Sequence, residues 1–337
     1  MTIKDIARIS GVSITTVSRV LNNRPDVSDE SRRKVLEVIE SNNYIPNNSA
    51  RDLVKTKSDA IGLVVRGVSN PFYTDIIRAV ESGITAGGYT MVMQQIGSNE
   101  DEWKRAAMME REKRLRGLIR LGGRFDYTPT DLALLNVPFV CCSFSNHYGT
   151  LTEKEYSSVS IADKETAYQA VRHLIANGHR RIAALITCTD DRSISQLRYE
   201  GYVQAMEEAG FPLEDPLVIC TDTYNIQGAY QAMTRALDDG GNFTAVFAIS
   251  DNMAIGAMRA LRENGRAVPE DCSVIAVDGI EVSDYIDPPL TTFCQPMEEM
   301  GRHSVEILLD MIGKHSGNRH ETLPTVLRQG GSVRPLV

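Results

Sequence analysis

From residue 59 onward, short apolar runs alternate with amphipathic stretches, and this rhythm restricts the fold more than any other feature of the chain. Strands are expected at 60–65, 89–94, 117–121, 138–142, 181–186, 217–220, 245–249 and 273–277. Helices are expected between them, at 71–86, 100–113, 164–177, 194–209, 227–237 and 253–263. An unbroken run such as Ala60-Ile61-Gly62-Leu63-Val64-Val65 suits a strand buried on both faces, because helices cover a parallel sheet on either side. The alternation predicts an α/β body of two doubly wound parallel-sheet lobes, joined near 160–163 and again near 291–296. Ligands of such sheets sit beyond the carboxyl ends of the strands, which places the expected pocket between the lobes.

The first 46 residues follow a different, all-helical rule. Thr2 is a good N-cap with Asp5 three residues on, and Ile3, Ile6, Ala7 and Ile9 form an apolar stripe. Gly11 ends that helix, since glycine enters the left-handed conformation at little cost. Ser13 caps a second helix whose inward residues are Val17, Val20 and Leu21. Ile14, Thr15, Thr16, Ser18, Arg19 and Asn22 are left pointing outward. Hydroxyls, a guanidinium and an amide on one exposed face suit a helix lying in a DNA major groove. Ser28 caps a third helix, and Val35, Leu36, Val38 and Ile39 are expected to close a three-helix core. Residues 47–58 form a polar linker with room for one short hinge helix, marginal unless something packs against it.

Charge separates the same two parts. Residues 1–58 hold ten Lys or Arg against seven Asp or Glu, whereas the remainder holds 26 against 37. A mildly basic head on an acidic body puts the polyanion contact at the amino end. No apolar run is long enough to span a bilayer and no apolar signal segment precedes the head, so a cytoplasmic protein without a membrane partner is expected. The six cysteines (Cys141, Cys142, Cys188, Cys220, Cys272, Cys294) show no metal-type spacing and are read as reduced and structural. The six histidines form no HExxH pattern, and Gly122-Gly123 lacks the spacing of a phosphate loop. Nothing demands a cofactor, a metal or catalysis.

The segment Gly11-Val12-Ser13-Ile14-Thr15-Thr16-Val17-Ser18-Arg19-Val20-Leu21-Asn22, with Val27-Ser28 and Tyr44-Ile45-Pro46-Asn47, resembles the DNA-binding head of the lactose/galactose repressor family. Weaker matches continue in order through Asn70-Pro71-Phe72-Tyr73, Val268-Pro269-Glu270-Asp271, Ser273-Val274-Ile275-Ala276-Val277-Asp278 and Pro289-Leu290-Thr291-Thr292. The resemblance implies a helix–turn–helix domain at 1–46, a hinge at 47–58 and a two-lobed body, like that of periplasmic binding proteins, at 59–337. Its lobes would comprise 59–161 plus 292–325, and 162–291 plus 326–337. It implies base reading by Ile14, Thr15 and Arg19, whose guanidinium suits a guanine edge. Phosphate contacts would fall to Thr2, Ser13, Thr16, Ser18, Asn22 and Ser28. In the hinge, Leu53 would wedge into the minor groove beside the small Ala50. The expected partners are double-stranded operator DNA, a second copy of the chain and a small effector of sugar or nucleoside class, with repression as the implied outcome.

Strand ends and loops nominate the effector residues. Phe72 and Tyr73 follow the first strand, Ser250 and Asp251 follow 245–249, and Asp278 follows 273–277. Arg198 lies early in the helix after 181–186. Arg198 and Asp278 match positions that hold polar groups of the effector in the resembled family, and are expected on facing lobes. The chain departs from that family in the same region, with Ser143-Phe144, Thr187-Cys188 and Asp222-Thr223-Tyr224 in place of the usual residues, so the effector does not carry over. Two other classes share the body plan: a solute-binding protein of periplasmic type and a sugar- or nucleoside-handling enzyme. The DNA-reading head and missing signal segment weigh against the first, and the lack of a phosphate loop or triad against the second.

Overall fold

The computed structural model describes all residues except 1, 22–23, 43–57, 68–69, 98–99, 188–191, 212–216, 315 and 337. It divides into two units, Met1–Ser58 and Asp59–Val337.

In the first unit, helix α1 (Ile3–Ser10) begins at a reciprocal capping box. The Thr2 side chain accepts from Asp5 N and the Asp5 carboxylate accepts from Thr2 N at 2.8 Å. Gly11 ends α1 at φ +68°. Helix α2 (Ile14–Leu21) follows, with Ser13 Oγ accepting from Thr16 N at 3.0 Å. Helix α3 (Asp29–Ser41) starts at Ser28, whose hydroxyl accepts from Ser31 N. Ile6, Ala7, Val17, Val20 and Val35 form the buried core, ringed by Ile3, Leu21, Val38 and Ile39. Two residues assigned to this core are not in it, for Ile9 is 46% and Leu36 43% exposed. On a helix turning about 100° per residue, Ile9 lies roughly 110° from the direction shared by Ile3, Ile6 and Ala7, and Leu36 about as far from Val35, Val38 and Ile39. Both stripes are wider than the core of so small a unit.

The second unit contains two six-stranded sheets. The first holds β1 (Ala60–Arg66), β2 (Thr90–Ile96), β3 (Gly117–Leu121), β4 (Phe139–Cys142), β5 (Ser157–Ile161) and β11 (His320–Leu323), in the order β11-β5-β4-β3-β1-β2. All its pairs are parallel. The second sheet holds β6 (Ile182–Thr187), β7 (Val218–Thr221), β8 (Ala245–Ala248), β9 (Ser273–Asp278), β10 (Thr291–Cys294) and β12 (Val326–Arg328), ordered β12-β10-β9-β8-β6-β7. Helices α4 (Phe72–Ala86), α5 (Glu102–Lys113), α6 (Pro129–Leu132) and α11 (Met297–Lys314) pack with the first sheet, and α7 (Asp163–Ala176), α8 (Ile194–Glu208), α9 (Ile226–Asp238) and α10 (Asp251–Glu263) with the second.

Three details differ from the sequence reading. Strand β10 pairs in register with β9, Thr291 beside Ile275, so the second crossing falls after Cys294. Strand β12 runs antiparallel to β10, because it returns directly from the neighbouring lobe without a covering helix. Cys220 is disulfide-bonded, whereas Cys141, Cys142, Cys272 and Cys294 are free thiols. Parallel pairing lays residues far apart in sequence side by side, a proximity that cysteine spacing along the chain does not reveal. Cys188 lies outside the described residues.

Each sheet has one place where successive connections diverge. Strand β1 is flanked by β2 and β3, and β6 by β7 and β8. Such switch points leave a crevice at the carboxyl ends of the strands. Among the described residues no helix is long and apolar enough to cross a membrane, and no cluster of metal-ligating side chains occurs.

Candidate functional site

In the head, burying Val17 and Val20 turns the opposite side of α2 to solvent. Ile14, Thr15 and Arg19 are exposed there, and Thr16 and Ser18 are half-buried at its margin. Arg19 forms an exposed ion pair with Asp26 at 3.4 Å. At such exposure this pair is worth ~0–1 kcal/mol, a weak hold that a guanine edge can displace. Thr2, Ser13 and Ser28 are all helix caps. They stand where backbone N–H groups and the positive helix end favour a phosphate. Asn22, Ala50 and Leu53 lie outside the described residues.

In the body, strand ends from both sheets surround a cavity of about 790 Å³. Arg66, Gly97, Gly122 and Ser143 line it from the first sheet's side, and Ser193, Asp222, Tyr224, Ser250, Asp278 and Gln295 from the second's. Of the nominated residues, Phe72, Tyr73, Arg198, Ser250 and Asp278 reach the lining and Asp251 does not. Asp251 is fully buried behind it. Its carboxylate accepts from Gly279 N at 2.9 Å, Ile280 N at 3.0 Å and Thr292 Oγ1 at 2.5 Å, so it fastens the turn after β9. Ser250 presents a capped helix start, its hydroxyl accepting from Met253 N.

Arg198 and Asp278 belong to the same lobe, contrary to the expectation of facing lobes. Arg198 Nη1 lies 3.3 Å from Asp278, and its Nε and Nη2 lie 3.0 and 2.9 Å from Asp163. Both side chains stem from the second sheet's strand ends, where α8 and β9 converge. Burial works against the Arg198 charge, but Asp163 and Asp278 raise its pKa overall. Burial pushes the Asp278 carboxyl up to about 7, against the downward pull of Arg198. Asp278 also has φ +145°, a region that side chains rarely adopt, and strained backbone of this kind concentrates at ligand sites. The two lobes touch across the cavity through Asn252 Nδ2, which donates to Asn70 Oδ1 at 3.2 Å.

Sequence reasoning passed over a buried ion network behind the first sheet's rim. Glu102 and Arg120 are each about 1% exposed and 2.5 Å apart, and Arg66 Nε stands 2.5 Å from the other Glu102 oxygen. The Tyr127 hydroxyl donates to Glu102, and Arg120 lies over the rings of Phe144, Tyr127 and Trp103 at 4.3, 5.0 and 5.2 Å. Gly123, at φ +121°, leaves the necessary space, for a Cβ there would come within 1.8 Å of Arg120 Nη1. One signal was available: Arg120 stands inside the apolar run Gly117-Leu118-Ile119-Arg120-Leu121. A charge in a strand covered on both faces requires a buried partner.

Comparison with known proteins agrees with both units. Residues 2–47 match bacterial regulatory proteins of the lacI family, and residues 171–333 match the periplasmic binding protein-like domain. The chain is 40% identical over 329 residues to the HTH-type transcriptional regulator MalR of Clostridium butyricum, covering 97% of each. It is similar to the solved complex of the transcriptional regulator CelR with cellobiose, at 32% identity and a TM-score of 0.73 over 98% of this chain and 99% of that one. The lac repressor dimer bound to operator and the anti-inducer ONPF aligns at a TM-score of 0.82 and 28% identity, covering 99% of both chains. Since the likeness spans helix–turn–helix head and two-lobed body together, the chain belongs to the lacI family of bacterial regulatory proteins and is a DNA-binding transcriptional regulator, not an enzyme.

Proposed function

We propose that the protein is a cytoplasmic, homodimeric repressor that binds a near-palindromic operator and answers to a sugar or sugar derivative held between its lobes. One observation carries the reading: a chain with a DNA-reading helix also has a 790 Å³ cavity at the strand ends of both sheets, lined by the Arg198–Asp278 pair. Ile14, Thr15 and Arg19 read base edges, and Thr2, Ser13, Thr16, Ser18, Asn22 and Ser28 hold phosphates. Ala50 and Leu53 enter the minor groove. In the body, Phe72 and Tyr73 offer ring faces, while Arg198, Ser250 and Asp278 offer donors and acceptors to hydroxyls. The relative seen with cellobiose supports the sugar class.

The effector acts by changing the angle between lobes that touch through Asn70 and Asn252. In the dimer this alters the spacing of the two hinges, which pair in the minor groove or separate. A coupling of ~1–3 kcal/mol suffices. The test is to select a preferred duplex from random sequence with the full-length protein, then measure its affinity with and without cellobiose, maltose and other sugars. The expected result is a two-half-site duplex whose affinity shifts at least about fivefold with one sugar. No sequence preference under any condition would refute the proposal.

A further inference from the structure

Two oxygen acceptors stand in the cavity lining without a hydrogen-bond partner. Asn252 and Gln295 are each 5% exposed, and Asn252 Oδ1 and Gln295 Oε1 are buried and unsatisfied. Their orientation follows from their neighbours. Phe72 N donates to Asn70 Oδ1 at 3.1 Å, so that oxygen must receive the Asn252 amide NH₂, which turns Asn252 Oδ1 the other way. Asp278 Oδ1 takes the Gln295 NH₂ at 2.8 Å, which fixes Gln295 Oε1 likewise. Buried acceptors left unpaired cost roughly 1–3 kcal/mol each, a deficit that a ligand carrying O–H groups removes.

The charges point the same way. Of the two guanidiniums in the lining, Arg66 is held by Glu102 and Arg198 by Asp163 and Asp278. The remaining lining charge is Asp222, another carboxylate. Helix starts converge on the cavity and would favour an anion, but their own side chains cap them, Ser193 for α8, Asn225 for α9 and Ser250 for α10. A phosphate entering this space brings no donors to Asn252 and Gln295. It must also either disrupt a paired cation or remain unpaired beside carboxylates.

We propose that the cleft selects an uncharged polyhydroxylated ligand. Asn252 and Gln295 accept from its hydroxyls, and Glu102 is the specificity residue that cancels Arg66 and thereby excludes phosphorylated sugars. The inference rests on the sugar reading above. It is tested on the full-length protein by calorimetry and thermal shift with glucose, maltose and cellobiose, each beside its phosphate monoester. At least one uncharged sugar binds saturably, and its monoester binds at least about tenfold more weakly. A monoester that binds more tightly than its parent sugar overturns the inference and leaves the sugar reading standing, whereas silence from every member of every pair overturns both. Glu102→Gln leaves Arg66 uncompensated and narrows the discrimination by improving the monoester. Equal weakening of both members, the mark of a merely structural role, overturns the assignment of Glu102. Should that variant not fold, Asn252→Ala decides: the uncharged sugar loses about tenfold, and unchanged affinity refutes the acceptor role.

Discussion

Single side chains set both recognition chemistries. Arg19 is exposed on α2 and only weakly held by Asp26, so its guanidinium is available to a base edge. Arg19→Ala should weaken operator binding by about 1–3 kcal/mol and relax preference at one base position. Competition assays against single-base operator variants check this, and equal loss on operator and random duplex would contradict it. In the cleft, the pKa of Asp278 is raised by burial to about 7 from an ordinary carboxylate value. The native state therefore binds the proton more tightly than the unfolded chain, so the contribution is fullest below the ordinary carboxylate range and is lost as pH rises through about 7. Asp163 and Asp251 shift in the same direction. The body should thus melt at lower temperature at pH 8 than at pH 6, with a shallower dependence in Asp278→Asn. Calorimetric scans across that interval give the slope.

At the scale of elements, local chemistry sufficed wherever an element reads its own surroundings. The capping box of α1, the Gly11 stop and the Ser13 and Ser28 caps are all sequence-local, and each forms where the residues indicate. Nothing lies within 4 Å of a Cβ built at Gly11, so Gly11→Ala is penalised by backbone conformation alone, by about 1–2 kcal/mol. Hydrogen exchange in the full-length protein should show faster opening of α1 and α2 while the body amides stay unchanged. The hinge obeys different physics, because a segment that short gains little from helix formation alone. Leu53→Ala should reduce operator bending, read by FRET between duplex ends, and leave the body's melting temperature unaltered. Unchanged bending would exclude the wedge.

At the scale of the whole molecule, the order and class of elements were legible while their partners were not. Apolar period and caps gave the strand–helix alternation, because buried parallel strands and amphipathic helices have different residue spacings. The antiparallel β12, the exposed Ile9 and Leu36, the shared lobe of Arg198 and Asp278 and the Cys220 disulfide were not legible. Each depends on which distant segment lies alongside. If effector and operator communicate through the lobe contact, Asn252→Ala should also reduce the shift in operator affinity at saturating sugar, measured by anisotropy. An undiminished shift would place the coupling elsewhere. By itself the sequence determined the helical head, the kind of body and the face that meets DNA, because these follow from periodicity, capping and charge within a few turns of chain. Only the tertiary structure decided that Glu102 neutralises Arg66, that Asp251 fastens a turn rather than lining the cleft, and that two amide oxygens stand unpaired in it. Burial and pairing of charges are set by neighbours that folding brings from far along the chain, and no local pattern encodes them.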